Sequence, residues 1–156
     1  LLQHDMDASP LFPRFEVPLT GRARFDADGT LSDTLHAAAL RCLDIGSDQR
    51  PSAALAEFGI HAPRLHQGLI ASGDQFVSSA AQSAALRAAL PDALAVEMEG
   101  AAVAQVCADF GRPCAVLRTI SDRADDSAHV DFARFIERVA SAYTHAIVNA
   151  WLADPA

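Results

Sequence analysis

The chain has 156 residues, with twelve basic side chains against twenty acidic ones and a net charge of −8. That length fits one domain with a sizeable core, and the acidic balance, without a basic cluster longer than a pair, excludes a nucleic-acid groove. No apolar run approaches the ~20 residues of a membrane span.

The first residues, Leu1-Leu-Gln, run straight into His4-Asp5 as though a strand were entered partway. With no initiator Met, the chain reads as N-terminally truncated. The next segment interleaves Pro10, Pro13 and Pro18 with Leu11, Phe12, Phe15 and Val17, which rules out a regular helix or a central strand. Exposed, its large apolar side chains would form a patch of the kind that marks an interface. Ser32 is placed to cap a helix in which Leu35, Ala38, Ala39, Cys42 and Leu43 recur at helical spacing until Gly46. Residues 47–64 read as loop plus a short helix over Ala53–Phe58, and Leu65–Ala71 as a strand broken by Ser72-Gly73-Asp74. A helix over Ser79–Leu90 stops at Pro91, and a strand follows over Ala93–Met98. Gly100–Phe110 reads as a helix ended by Gly111 and Pro113, Cys114–Ile120 as the next strand. Asp131 then caps a last helix whose Phe132, Ile136, Val139, Tyr143, Ile147 and Trp151 keep a 3.6-residue period. The alternation predicts a single α/β domain over residues 1–156, with a mostly parallel central sheet covered by helices. Cys42, Cys107 and Cys114 sit in apolar settings and read as small core residues of a reducing compartment. The N-terminus lacks a signal-type pattern, so a cytoplasmic location is expected.

Two acidic motifs close apolar runs: Ala95-Val-Glu-Met-Glu-Gly100, and Arg118-Thr-Ile-Ser-Asp-Arg-Ala-Asp125. Acidic residues where buried parallel strands stop project from the carboxyl edge of the sheet, which is where open α/β folds place their ligand crevice. Each residue also has a plain structural reading. Ser121-Asp122 can cap a loop or helix, Glu99 suits the N-terminus of the helix that Gly100 opens, Phe76 can be core, and Arg118 can join a salt bridge. Glu97 alternates to the opposite strand face from Met98. His4-Asp5 with Asp7 lacks a second His-rich motif, and Asp122, Asp125 and Asp126 lack the Gly and terminal Glu of a calcium loop. With no phosphate loop or nucleophile elbow either, neither a metal nor a cofactor is expected.

Taken together, Gly68-Leu-Ile-Ala-Ser-Gly-Asp-Gln-Phe-Val77, Val96-Glu-Met-Glu99 with its Ala-rich helix, and Arg118–Asp125 resemble the C-terminal half of the purine/uridine phosphorylase superfamily. The nearest resemblance is to the 5′-methylthioadenosine/S-adenosylhomocysteine nucleosidases. It covers roughly residues 65–152, with Gln3-His-Asp-Met-Asp7 similar to the family's strand-end His-Asp segment. The resemblance implies a three-layer α/β/α fold and hydrolysis of an N-glycosidic bond, within nucleoside catabolism and methionine salvage. It implies Asp122 as the acid that protonates N7 of adenine, oriented by Ser121, with Arg118 near the attacking water. It further implies Glu99 as acceptor for the ribose 2′- and 3′-hydroxyls, with Glu97 a candidate beside it and Met98 against the sugar. Phe76 would stack on adenine while the Val77 backbone reads its edge. Members are homodimers, which makes Phe12 and Phe15 candidates for closing the partner's pocket. The family's water-activating glutamate and glycine-rich segments have no counterpart in these residues. Phosphorolysis by a purine nucleoside phosphorylase and non-catalytic nucleoside binding are the alternatives.

Overall fold

The computed structural model describes residues 1–44, 52–122 and 132–153; Gly46, Asp125, Asp126 and Asp131, to which the sequence reading assigns roles, lie outside them. Three short strands, β1 (Leu2–Gln3), β2 (Leu69–Ser72) and β3 (Ala93–Glu97), form a parallel sheet in the order β1-β2-β3. The register pairs Gln3 with Ser72 and Ser72 with Glu97. All three strands therefore stop at one level, and the residues after them share a single edge.

Side-chain alternation divides the sheet into two covered faces. On one, Leu2 and Ala71 pack with Leu86 and Leu90 from α3 (Ala80–Ala89) and its C-terminal cap. On the other, α4 (Gly100–Asp109) lies against β1 and β2, with its Ala104 in a cluster with Val17 and Phe25 that Leu1 flanks. The expected α/β/α layering is thus present around a parallel sheet. Ser79 caps α3 by accepting from the Gln82 N–H at 3.2 Å, while the Gln82 side chain accepts from the Ser78 N–H at 3.2 Å, a reciprocal arrangement that satisfies two donors at the helix start. At the other end of α4, Gly111 at φ +60° lets the chain reverse, with the Arg112 N–H donating to the Cys107 carbonyl at 2.7 Å.

The described residues cluster into two compact units. The first, Leu1–Asp28 with Gln67–Val116, holds the sheet, α3 and α4. The second contains Gly29–His66 and the described residues from Leu117 onward, with α1 (Gly29–Leu43), α2 (Ser52–Glu57), α5 (Phe132–Phe135), a π-helical turn (Ile136–Ala140) and α6 (Ser141–Ala153). Its core is Ala38, Ala39, Cys42 and Leu55 against Phe135, Val139, Tyr143, Ile147 and Ala150. Trp151 Nε1 donates to Thr34 Oγ1 at 2.9 Å, pinning α6 to α1.

Several boundaries differ from the sequence reading. Ser32 lies inside α1, which starts after Asp28, itself a favoured capping residue type. The strand expected from Leu65 begins only at Leu69, because Leu65 packs on the core of the second unit. Cys114–Ile120 joins no sheet among the described residues. The Cys114 carbonyl is occupied by the Asp28 N–H at 2.7 Å, its side chain packs beside Val17, Phe25 and Ala104, and Leu117 goes to the core of the second unit. The last helix buries Phe135, Val139, Tyr143 and Ile147, while Phe132 and Ile136 are exposed. Three successive steps of four residues outrun a 3.6-residue turn, and the π-helical turn, closed by the Ser141 N–H on the Ile136 carbonyl, takes up the difference.

Of the large apolar side chains between Pro10 and Pro18, Leu11 is the exposed one. Phe12 is half-buried. Phe15, at φ +71°, turns onto the Leu2–Ala71–Leu90 cluster with the Arg14 guanidinium 4.6 Å above its ring. The expected apolar patch therefore loses Phe15 to the chain's own core.

Candidate active site

At the carboxyl edge of the sheet, β2 continues into the loop Ser72–Val77 and β3 into Glu97-Met98-Glu99. The two are tied directly, since the Gly73 N–H donates to the Glu97 carbonyl at 3.1 Å. From β1, the His4 N–H donates to the Ser72 carbonyl at 2.8 Å, and Asp5 Oδ2 accepts from the Asp74 N–H at 2.6 Å. The His4 ring lies flush against Gly73: a Cβ there would sit 2.5 Å from Cε1 and 2.8 Å from Cδ2. Only glycine fits that contact. Beyond it the Phe76 side chain is 42% exposed and Val77 is buried.

The two glutamates of the motif are used differently. Glu97 turns inward and receives the Gly100 N–H on both oxygens at 2.9 Å, the Glu99 N–H at 3.3 Å and the Ser72 hydroxyl. Ser72, only 2% exposed, also accepts from the Ala101 N–H at 2.7 Å. These are the amides that the first turn of a helix leaves without an internal partner, so Glu97 and Ser72 together cap α4. Glu99 occupies the cap position, yet its side chain makes no capping hydrogen bond. Glu99 therefore stands at the helix start as the sequence reading has it, but the hydrogen bonds that cap α4 go to Glu97 and Ser72. Met98 and Glu99 are both exposed at the edge.

Arg118, Ser121 and Asp122 belong to the second unit. Arg118 is exposed, and the half-buried Ser121 donates its hydroxyl to Asp122 Oδ2 at 2.6 Å. Burial pushes the Cys114 thiol upward, aided by its contact with Cys107, and burial likewise raises the Cys42 thiol; protonated thiols of this kind are poor nucleophiles. Among the described residues no group of three or more His, Cys, Asp or Glu side chains is arranged to hold a metal, and no helix is long and apolar enough to cross a membrane. Sequence reasoning assigned Ser72 and Asp74 only to the turn and did not see His4 and Asp5 as its supports. The signal for Ser72 was its alternation from Ala71, which turns a lone hydroxyl toward the helix that follows β3.

A parallel α/β sheet with carboxylates at its carboxyl edge defines a ligand-binding α/β protein of the kind in which strand ends carry the site. Family comparison makes this specific: the model of the phosphorylase superfamily matches residues 1–153, and the chain belongs to that superfamily. It is 54% identical over 82 residues to an aminodeoxyfutalosine nucleosidase of Helicobacter pylori, a match covering 53% of this chain and 34% of that protein. Among solved structures it is similar to the 5′-methylthioadenosine/S-adenosylhomocysteine nucleosidase of Neisseria meningitidis in complex with methylthio-immucillin-A, at 32% identity and a TM-score of 0.73, covering 97% of this chain and 57% of that one. A futalosine hydrolase of Helicobacter pylori matches at 36% identity and a TM-score of 0.68, covering 97% and 56%. The chain thus spans about a third of the matched curated relative and just over half of each solved chain.

Proposed function

We propose that the whole protein is a hydrolytic nucleosidase that cleaves the N-glycosidic bond of 5′-substituted adenine nucleosides, 5′-methylthioadenosine and S-adenosylhomocysteine foremost, and releases adenine. The observation that carries this reading is the division of labour between two adjacent glutamates. Glu97 and Ser72 hold the amides at the start of α4, while Glu99 stands exposed at the carboxyl edge of the sheet, where its carboxylate can meet a cis-diol. Cleavage passes through an oxocarbenium-like sugar and an anionic base. The negative charge of Glu99 suits the first, and protonation of the leaving base by Asp122 suits the second. Ser121 orients the acid, Arg118 steers water, Met98 lies against the sugar, Phe76 stacks on adenine and the Val77 backbone reads its edge. Similarity to an aminodeoxyfutalosine nucleosidase favours aminodeoxyfutalosine as a second substrate. The protein acts as a homodimer in the cytoplasm, with Leu11 and Phe12 facing the neighbouring copy.

The test is adenine release by the full-length protein from each of the three nucleosides, with and without phosphate. Hydrolysis predicts turnover that ignores phosphate and yields the free sugar, whereas phosphorolysis predicts a sugar 1-phosphate and an absolute need for phosphate. In the same assay Asp122→Asn should lower kcat by ~10²–10⁴ with KM little changed. Tight nucleoside binding without turnover in the wild type would establish a binding domain, and near-normal turnover by Asp122→Asn would remove the proposed acid.

A further inference from the structure

We infer that Ser72 and Glu97 are positioning residues that set the specificity for ribose by fixing the backbone on which Glu99 stands; the inference rests on the reading of Glu99 as the diol acceptor. Three consecutive amides, those of Glu99, Gly100 and Ala101, are held by two side chains, and the hydroxyl of Ser72 joins those side chains to each other. The backbone is thus anchored at the residue that bears the diol carboxylate and at the two that follow. The Gly73 amide on the Glu97 carbonyl anchors it again from before Met98. Ser72 sits on β2, so the clamp refers Glu99 to the rigid sheet and to the loop carrying Phe76, rather than to α4 alone.

Two features make the clamp specific to these residues. Gly100 is buried, and a Cβ there would lie 3.0 Å and 3.2 Å from the two Glu97 oxygens and 2.8 Å from Leu1 Cδ2. A side chain at that position would make Leu1 move aside and shift the Glu97 carboxylate by a few tenths of an ångström. Ser72 is the buried polar residue of its core, 2% exposed, and both its donor and its acceptor functions are used. A capping role alone needs only an acceptor, and Glu97 already supplies one. The hydroxyl adds orientation: it holds Oε1 while the oxygen pair straddles the Gly100 N–H. A ribose-specific site needs a carboxylate placed to well within 1 Å, and a helix start tied to a neighbouring strand supplies that precision.

The experiment compares kcat/KM for 5′-methylthioadenosine with that for its 2′-deoxy analogue in the full-length protein carrying Ser72→Ala, Glu97→Gln, Glu99→Gln and the two double variants with Glu99→Gln. Ser72→Cys, close to serine in size, replaces Ser72→Ala should that variant fail to fold. Each clamp variant is expected to lower the ribose preference about three- to tenfold, a part of what one charge-assisted hydrogen bond is worth. In the Glu99→Gln background the same changes should cost no further preference, because they act through that carboxylate. An effect of Glu97→Gln that Ser72→Ala does not share, or that persists undiminished beside Glu99→Gln, means that Glu97 itself touches the sugar and overturns the proposal. Equal loss on both nucleosides reduces the pair to a fold support and overturns it too. If Glu99→Gln alone leaves the preference intact, it is the diol reading that falls, and with it the assignment of specificity. Amide hydrogen exchange at Gly100 and Ala101 then reports separately on the clamp, which stands if Ser72→Ala speeds that exchange and is absent if it does not.

Discussion

Gly73→Ala is the sharpest perturbation of the loop that carries the base-binding candidates. The added methyl would stand 2.5 Å from Cε1 and 2.8 Å from Cδ2 of His4, and closer still to Nε2, where non-bonded carbons settle at roughly 3.5–4.0 Å. Relief requires a displacement of about 1 Å, shared between the imidazole and the loop. The ring is not free to take all of it. No hydrogen bond among the described residues holds buried Nε2, but the backbone beneath is fixed by the bonds from His4 to Ser72 and from Asp74 to Asp5, so the loop takes part of the shift. Overpacking of this kind costs ~1–3 kcal/mol, which for a chain of this length lowers Tm by about 2–12 °C. Thermal unfolding by circular dichroism reads the first effect, and a raised KM for the nucleoside reads the displaced loop. His4→Ala in the same background removes the obstructing ring, so the double variant should regain both stability and KM, with a coupling energy of about 1 kcal/mol or more. Additive losses in the two single variants, or a Gly73→Ala protein with wild-type stability, would refute the contact.

Two other expectations follow from features outside the loop. Arg24 donates to Asp92 at 2.7 Å and holds its carboxyl below the ordinary carboxylate range. A depressed carboxylate stabilises the fold above its unfolded pKa, about 3.9, and that contribution is lost as the pH falls through the folded value. Asp92→Asn should therefore lower Tm slightly at neutral pH, with the gap from wild type closing toward pH 3 and shrinking with salt, as befits an exposed pair; a gap that widens on acidification contradicts the assignment. At the proposed interface, Leu11→Ala and Phe12→Ala should shift the protein toward monomer in light scattering and raise KM for 5′-thio substrates. A dimer indifferent to both places the contact elsewhere.

Much of the architecture was legible because local chemistry and tertiary packing agree. The capping serine and terminal proline around α3, the apolar strand Ala93–Glu97 and the glycine-reversed end of α4 all carry their signals within a few residues. Cys114–Ile120 misled for a physical reason: a β-branched apolar run shows that a segment is buried but not that a neighbour offers it a ladder. Here the Asp28 amide takes the Cys114 carbonyl and Leu117 belongs to the other core. The C-terminal helix keeps the expected phase from Val139 to Ile147 and loses it at Phe132 and Ile136. A helical wheel drawn at 3.6 residues places Phe132 and Ile136 inside, and a π-helical turn leaves no simple mark in composition.

The candidate site was legible as a set of residues and illegible as a division of roles. In sequence Glu97 and Glu99 are the same side chain two positions apart, and strand alternation alone would put both on one face. The strand ends at Glu97, so alternation stops applying between them, and Glu99 takes its direction from the helix start. Which glutamate caps is then decided by Ser72, twenty-five residues earlier on β2. Its hydroxyl already waits at the first turn of α4 and favours the carboxylate that can reach both it and Gly100. A capping carboxylate supplied from within the strand leaves the next one at the edge without a capping bond. That separation leaves the start of α4 capped by one carboxylate while the other stands exposed at the carboxyl edge of the sheet, where α/β folds place their ligands.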